Sequence, residues 1–195
     1  MHEQSKSAKR RFYDGAFLSR YFVGDGTDIG GAPDPLGQYM SIFRMMRSCR
    51  VWDMVDGDAQ DMAGVLDSSF DFVHSSHCLE HMVEPRIALQ NWLRILRPGG
   101  YLIITVPDED LYEQGFWPSQ YNSDHKWSFT IHKSKSSMPK SVNVIDLISE
   151  FSEEIIPEKL VLQRDFFRDE YAGKIDQTLT PVAECAIEFI WQKKM

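Results

Sequence analysis

The sequence predicts an α/β protein: a doubly wound, mostly parallel sheet flanked by helices. Three observations carry that expectation. Residues 101–106, Tyr-Leu-Ile-Ile-Thr-Val, form a continuous apolar and β-branched run, as in a strand buried on both faces. Just before it, Leu89, Trp92, Leu93 and Leu96 repeat at i, i+3, i+4, i+7, one face of a helix. Strand-like and helix-like segments then alternate along much of the chain, the pattern of a parallel sheet with crossover helices.

The elements follow in order. Residues 1–22 read as an N-terminal arm with an apolar side made by Phe12, Phe17, Leu18, Tyr21 and Phe22. A short strand ends at Asp28-Ile29, and a loop with Pro33 and Pro35 follows it. Ile42, Met45, Met46 and Cys49 have helical spacing, which predicts a helix there. Residues 50–54 then read as a second strand and residues 70–75 as a third. A helix over residues 86–96 is stopped by Pro98-Gly99-Gly100. Val144, Leu147, Ile148 and Phe151 mark another helix, with Ser141 placed to cap it. Residues 160–163 and 184–191 are late strands; in the second, Cys185, Ile187, Phe189 and Trp191 alternate onto one face.

The 195 residues suit a single domain, with 43% hydrophobic residues to build its core. A net charge of −8 disfavours a nucleic-acid partner, since binding there needs Lys and Arg to neutralise phosphates. The one basic cluster, Lys6, Lys9, Arg10 and Arg11, reads as a solvated helix face or a frayed end. No apolar run nears the ~20 residues that span a bilayer, and no signal peptide or membrane partner is expected. Cys49, Cys78 and Cys185 are widely spaced and odd in number, which predicts free thiols in a reducing cytoplasm and no zinc site.

In such sheets ligands bind beyond the carboxyl ends of the strands. Gly30 and Gly31, after the first strand, allow a sharp turn and close backbone approach, with Asp28 beside them. The spacing G-x-G-x-x-G of dinucleotide sites is not met, because Ile29 stands third after Gly24 and Gly26. Asp53 ends the second strand, where a carboxylate suits ribose hydroxyls, and Gly57-Asp58-Ala59 follows with an acceptor beside a small residue. After the third strand come Ser76, placed to cap a following helix, His77, pointing into the cleft, and Glu80-His81, read as a local helix-stabilising pair.

In order and spacing, Asp28-Ile29-Gly30-Gly31, Gly57-Asp58-Ala59, the stretch from Ser69 through Leu79-Glu80-His81, and Leu96-Arg97-Pro98-Gly99-Gly100-Tyr101-Leu102 resemble class I S-adenosylmethionine-dependent methyltransferases over about residues 20–107. The resemblance implies a Rossmann-like methyltransferase fold with S-adenosylmethionine as cofactor. Asp28, Gly30 and Gly31 would form the turn around its methionine part. Asp53 would hold the ribose, Asp58 and Ala59 the adenine, and Ser76 and His77 would line the cleft near the sulfonium. The family has alternating glycines where this chain has Gly31-Ala32-Pro33. It also has a helix and a strand between the ribose and adenine residues. Either that unit is nearly absent here, leaving the sheet short of a strand on one side, or Asp53 is not the ribose residue.

The implied reaction is methyl transfer to a small polar acceptor, a metabolite or sugar, through O or N. The substrate-facing insert is expected at residues 107–140. His125 beside Asp124 is the first choice of general base and His77 the second. Tyr13, Phe17 and Trp127 are candidates to flank the sulfonium. Asp108, Glu109, Asp110, Asp124, His125 and His132 lack a compact ligand spacing, so no metal is expected. The competing readings are a non-catalytic methyltransferase-like partner module and an NAD-binding oxidoreductase.

Overall fold

In the computed structural model, residues 3–136, 138–179 and 183–195 are described. Residues 1–2 of the expected arm and 137 of the expected insert lie outside them. The chain runs α1 (Glu3–Arg11), β1 (Gly24–Ile29), β2 (Met46–Trp52), β3 (Phe70–Ser76), α2 (Pro85–Ile95), β4 (Leu96–Pro107), β5 (Ser128–Thr130), β6 (Ser141–Asn143), α3 (Val144–Glu150), β7 (Ile155–Gln163) and β8 (Ala186–Lys193). Six strands form one sheet in the order β2-β1-β3-β4-β8-β7. The first four are mutually parallel, whereas β8 runs antiparallel to both β4 and β7. The expected α/β doubly wound class is thus observed, and among the described residues β2 is an edge strand of the sheet. No helix among the described residues is long and apolar enough to cross a membrane.

Period-two alternation splits the sheet's side chains between two layers. Val73, Leu102, Ile104, Phe189 and Trp191 meet α2 and α3 on one face. Each fully buried side chain of α2 there, such as Leu89 or Leu93, contributes roughly 1.5–3 kcal/mol. Phe72, Ile103 and Ile190 point to the other face, where α1, the aromatic turn Phe17–Tyr21 and Phe43 cover them. Along that second face runs a buried polar row. Asp28 of β1 sits beside His74 of β3, and Thr105 of β4 sits beside Glu188 of β8.

Three expectations fail for local physical reasons. No helix forms over Ile42, Met45, Met46 and Cys49; Met46–Trp52 pairs instead with Gly24–Ile29 as β2. A helix there would leave the outer edge of β1 with unpaired amides and carbonyls. The basic cluster is not a solvated face. Arg11 is fully buried, its Nη2 2.7 Å from Glu188 Oε2, and Arg10 also pairs with Glu188 at 3.0 Å. Finally, Ser141 does not cap α3. Its hydroxyl donates to Glu109, and Asn143 accepts from the Ile145 and Asp146 amides.

Candidate functional site

The carboxyl ends of β1, β2 and β3 open onto a cleft of about 550 Å³. Gly30, Asp53, Asp58, Ala59 and His77 all line it, together with Cys78, His81, Asp124 and Lys126. The five among these that were expected to hold a ligand therefore share one concavity. A hollow of about 80 Å³ adjoins it, lined by Gly31, Ser76, His77 and the start of α1 at Glu3 and Gln4. His77 stands on the wall common to both.

Local chemistry explains how each residue arrives there. Gly30 has φ +72, and a Cβ on it would meet Cys78 Cβ at 2.7 Å, so only glycine fits. A Cβ on Gly31 would fall on the Asp28 carboxylate. The Ala32 amide donates to Asp53 Oδ2 at 3.2 Å, tying the glycine loop to the end of β2. Two indoles hold the adjacent turn: Trp52 Nε1 donates to Gly57 O and Trp92 Nε1 donates to Ala59 O at 2.8 Å. Those bonds, with Arg94 donating to Val65 O and paired to Asp67, anchor residues 57–67, which form neither helix nor strand.

Asp28 is placed elsewhere. It is fully buried below the cleft and does not line it. Its Oδ1 lies 2.6 Å from His74 Nδ1, and its Oδ2 accepts from the Leu36 amide at 2.7 Å. It therefore acts on the loop from beneath. The aromatic candidates are also not brought to the site. Phe17 is buried under Arg11, Tyr13 is 82% exposed, and Trp127 packs with Lys140 over its ring.

Asp124 and His125 are not a dyad. Asp124 Oδ2 pairs with His81 Nδ1 at 2.9 Å, and His125 Nδ1 lies 2.7 Å from Glu113 Oε1. The His125 side chain is only 1% exposed and does not reach the cleft; His81, whose ring centroid is 5.0 Å away, stands between. His77 does reach it. Burial, reinforced by the nearby His125, Lys6 and His81, pushes its pKa down to about 3, so its imidazole is neutral at physiological pH. Glu80 and His81 do not form the expected helix-stabilising pair. Glu80 lies on a single 3-10 turn, Leu79–His81, with its side chain wholly inside. The Glu80-His81 dipeptide was visible in the sequence, but nothing there marked Glu113 as its neighbour.

Residues 38–104 match the family model described as a methyltransferase domain. The demethylmenaquinone methyltransferase of Paenarthrobacter aurescens (strain TC1) is 44% identical over 52 residues, 27% of this chain and 20% of that relative. The chain thus spans about a fifth of the length of this curated relative. Among solved structures, a SAM-dependent methyltransferase from Archaeoglobus fulgidus superposes with TM-score 0.61 at 16% identity, covering 100% of this chain and 95% of that one. The N-methyltransferase NodS from Bradyrhizobium japonicum WM9, in complex with S-adenosyl-L-homocysteine, superposes with TM-score 0.52 at 15% identity over 99% of this chain and 87% of that one. The family resemblance and the Rossmann-like fold expected from the motifs are both borne out.

Proposed function

From a chain that matches the methyltransferase family model and has the class I S-adenosylmethionine-dependent methyltransferase fold, we propose that it binds S-adenosylmethionine in the 550 Å³ cleft and transfers its methyl group to a small polar acceptor. One observation carries this reading over a dinucleotide site: the cleft is acidic and has no helix behind its glycine turn. Asp53, Asp58 and Asp124 face a single lysine, Lys126. Between β1 and β2 the chain forms only the 3-10 turn Leu36–Tyr39. A pyrophosphate needs a helix N-terminus after the first strand and tolerates few carboxylates. A sulfonium cofactor carries no phosphate and gains from the acids.

The residues fit the group. Gly30 leaves room for close approach, Asp53 keeps lone pairs for the ribose hydroxyls, and Asp58 beside Ala59 suits the adenine edge. His77 lies where the two hollows meet, with Ser76 beside it in the smaller one, the place for the sulfonium end. When bound, the cofactor supplies an electrophilic methyl group. The protein's part is alignment of the acceptor, an effect worth roughly 7–11 kcal/mol at best. Neutral His77 accepts a hydrogen bond from the acceptor and holds it in line.

Calorimetry with S-adenosylmethionine, S-adenosylhomocysteine and NAD tests the reading. Binding of both adenosyl compounds without NAD is expected. NAD binding alone overturns it in favour of an oxidoreductase, and binding of none overturns it in favour of a partner module. An acceptor screen of polar metabolites, sugars and demethylmenaquinone then identifies the substrate.

A further inference from the structure

Behind the cleft, two imidazoles converge on a buried carboxylate. His81 Nε2 and His125 Nε2 lie 3.9 and 3.8 Å from Glu80 Oε1. The ligand atoms of the three residues all fall within 4.8 Å of one another. Glu80 is fully buried, and neither of its oxygens has a hydrogen-bond partner among the described residues. Such a group costs several kcal/mol if charged and unpaired.

The outer contacts are equally directed. His125 Nδ1 is 2.7 Å from Glu113 Oε1, and His81 Nδ1 is 2.9 Å from Asp124 Oδ2. A carboxylate on Nδ1 fixes the tautomer that leaves Nε2 with a free lone pair, the arrangement of metal-ligating histidines. The backbone holds the group together from both sides. The Lys126 and Trp127 amides donate to Glu80 O, and Lys126 Nζ donates to His81 O at 2.7 Å. Residues 124–127 are thereby stitched to residues 80–81.

We propose that Glu80, His81 and His125 bind a divalent transition-metal ion, with Glu113 and Asp124 orienting the two imidazoles. Two nitrogen donors and one oxygen favour zinc, iron(II), cobalt or manganese over magnesium or calcium. Three protein ligands leave positions open for water or for an oxygen of a bound molecule. His81 lines the cleft, so those positions adjoin it. A doubly charged ion also answers the electrostatic problem of Glu80 and Glu113, both wholly buried and without a lysine or arginine on either carboxylate among the described residues. This replaces the expectation of no metal, which rested on the lack of a compact ligand spacing among Asp108, Glu109, Asp110, Asp124, His125 and His132; of these the fold brings Asp124 and His125 to the cluster. His132 is exposed, Asp108 accepts from local amides and Glu109 is bound to Lys133.

The test is direct and needs neither cofactor nor acceptor. The full chain is stripped with a chelator, then titrated with Zn²⁺ by calorimetry and with Co²⁺ by visible absorption. One equivalent is expected, with a Co²⁺ spectrum of mixed nitrogen and oxygen ligation. Glu80→Gln and His125→Asn should each weaken binding at least ~100-fold, and Glu113→Gln about 10–100-fold. His132→Asn should leave it unchanged. If the buried variants fail to fold, His81→Asn, on a side chain 24% exposed, gives the same reading with circular dichroism as its control. Absence of stoichiometric Zn²⁺ and Co²⁺ binding, or binding unchanged in folded Glu80→Gln or His81→Asn, overturns the proposal. Adenosyl-cofactor binding is scored separately, so failure of one reading leaves the other measurable.

Discussion

The imidazole of His74 lies 2.6 Å from the carboxylate of Asp28, on neighbouring strands, with both side chains wholly buried. Burial holds the His74 pKa below its usual value, with Arg11 adding to that and Asp28 opposing it. The ring is therefore neutral, carries its proton on Nδ1 towards Asp28, and accepts at Nε2 from Arg11. Asp28→Ala removes the acceptor of both His74 and the Leu36 amide. It should cost about 3 kcal/mol of stability, read as a shifted urea midpoint. Cofactor affinity at a temperature where the variant is folded should fall less than in Asp53→Ala. The opposite ranking would return Asp28 to direct ligand contact.

Glu188 should give the fold a distinct acid sensitivity. Burial alone would raise its pKa, but Arg11 and Arg10 outweigh it and hold the carboxyl at about 2, against 4.5 ordinarily. A depressed carboxyl stabilises fully above pH 4.5, and that contribution disappears as pH falls towards 2. The stability gap between wild type and Glu188→Gln should be constant from pH 5 to 7 and shrink below 4.5. A gap that widens on acidification would contradict the assignment.

Gly30→Ala should abolish or severely weaken S-adenosylhomocysteine binding, because a side chain at φ +72 also collides with Cys78. Asp53→Ala should weaken it by about 10–100-fold, the loss of charge-assisted hydrogen bonds worth ~1.5–3 kcal/mol. Calorimetry on both variants checks this. Affinity unchanged in Asp53→Ala would remove Asp53 from the ribose role.

With its pKa lowered from 6.5 to about 3, His77 stays neutral between pH 5 and 7. The profile of kcat/KM should therefore show no His77-dependent limb between pH 5 and 7. His77→Ala should lower turnover about 10–100-fold at every pH in that range while sparing cofactor affinity. An acidic limb near pH 6.5 that vanishes in His77→Ala would assign the group an ordinary pKa and a role as base.

The strand β4 was legible because burial on both faces writes itself as an unbroken apolar run over residues 101–106. The helix α2 was legible through Leu89, Trp92 and Leu93. Met46 and Cys49 misled because helical spacing over one turn is also met by chance in an edge strand, and only pairing with β1 decides between them. Gly30, Asp53, Asp58, Ala59 and His77 were readable as strand-end residues, since the sheet geometry delivers such positions to one cleft. The partners of Asp124, His125 and Glu80 were not. They depend on how residues 108–127 fold back across the strand ends, and no local pattern encodes that path. Arg10 and Arg11 illustrate the same limit: a basic pair looks solvated until its acid, 177 and 178 positions away, is known.

That last distance has a consequence for how the molecule is made. Arg11 leaves the ribosome before Glu188, which follows it by 177 positions. Until β8 inserts between β4 and β7, the buried Arg11 of α1 lacks the Glu188 carboxylate that neutralises it. Yet α1 also supplies Glu3 and Gln4 to the wall of the smaller hollow. Insertion of β8 and completion of the smaller hollow's wall are thus coupled, and a nascent chain stalled before β8 would carry the glycine turn without its α1 neighbour fixed in place.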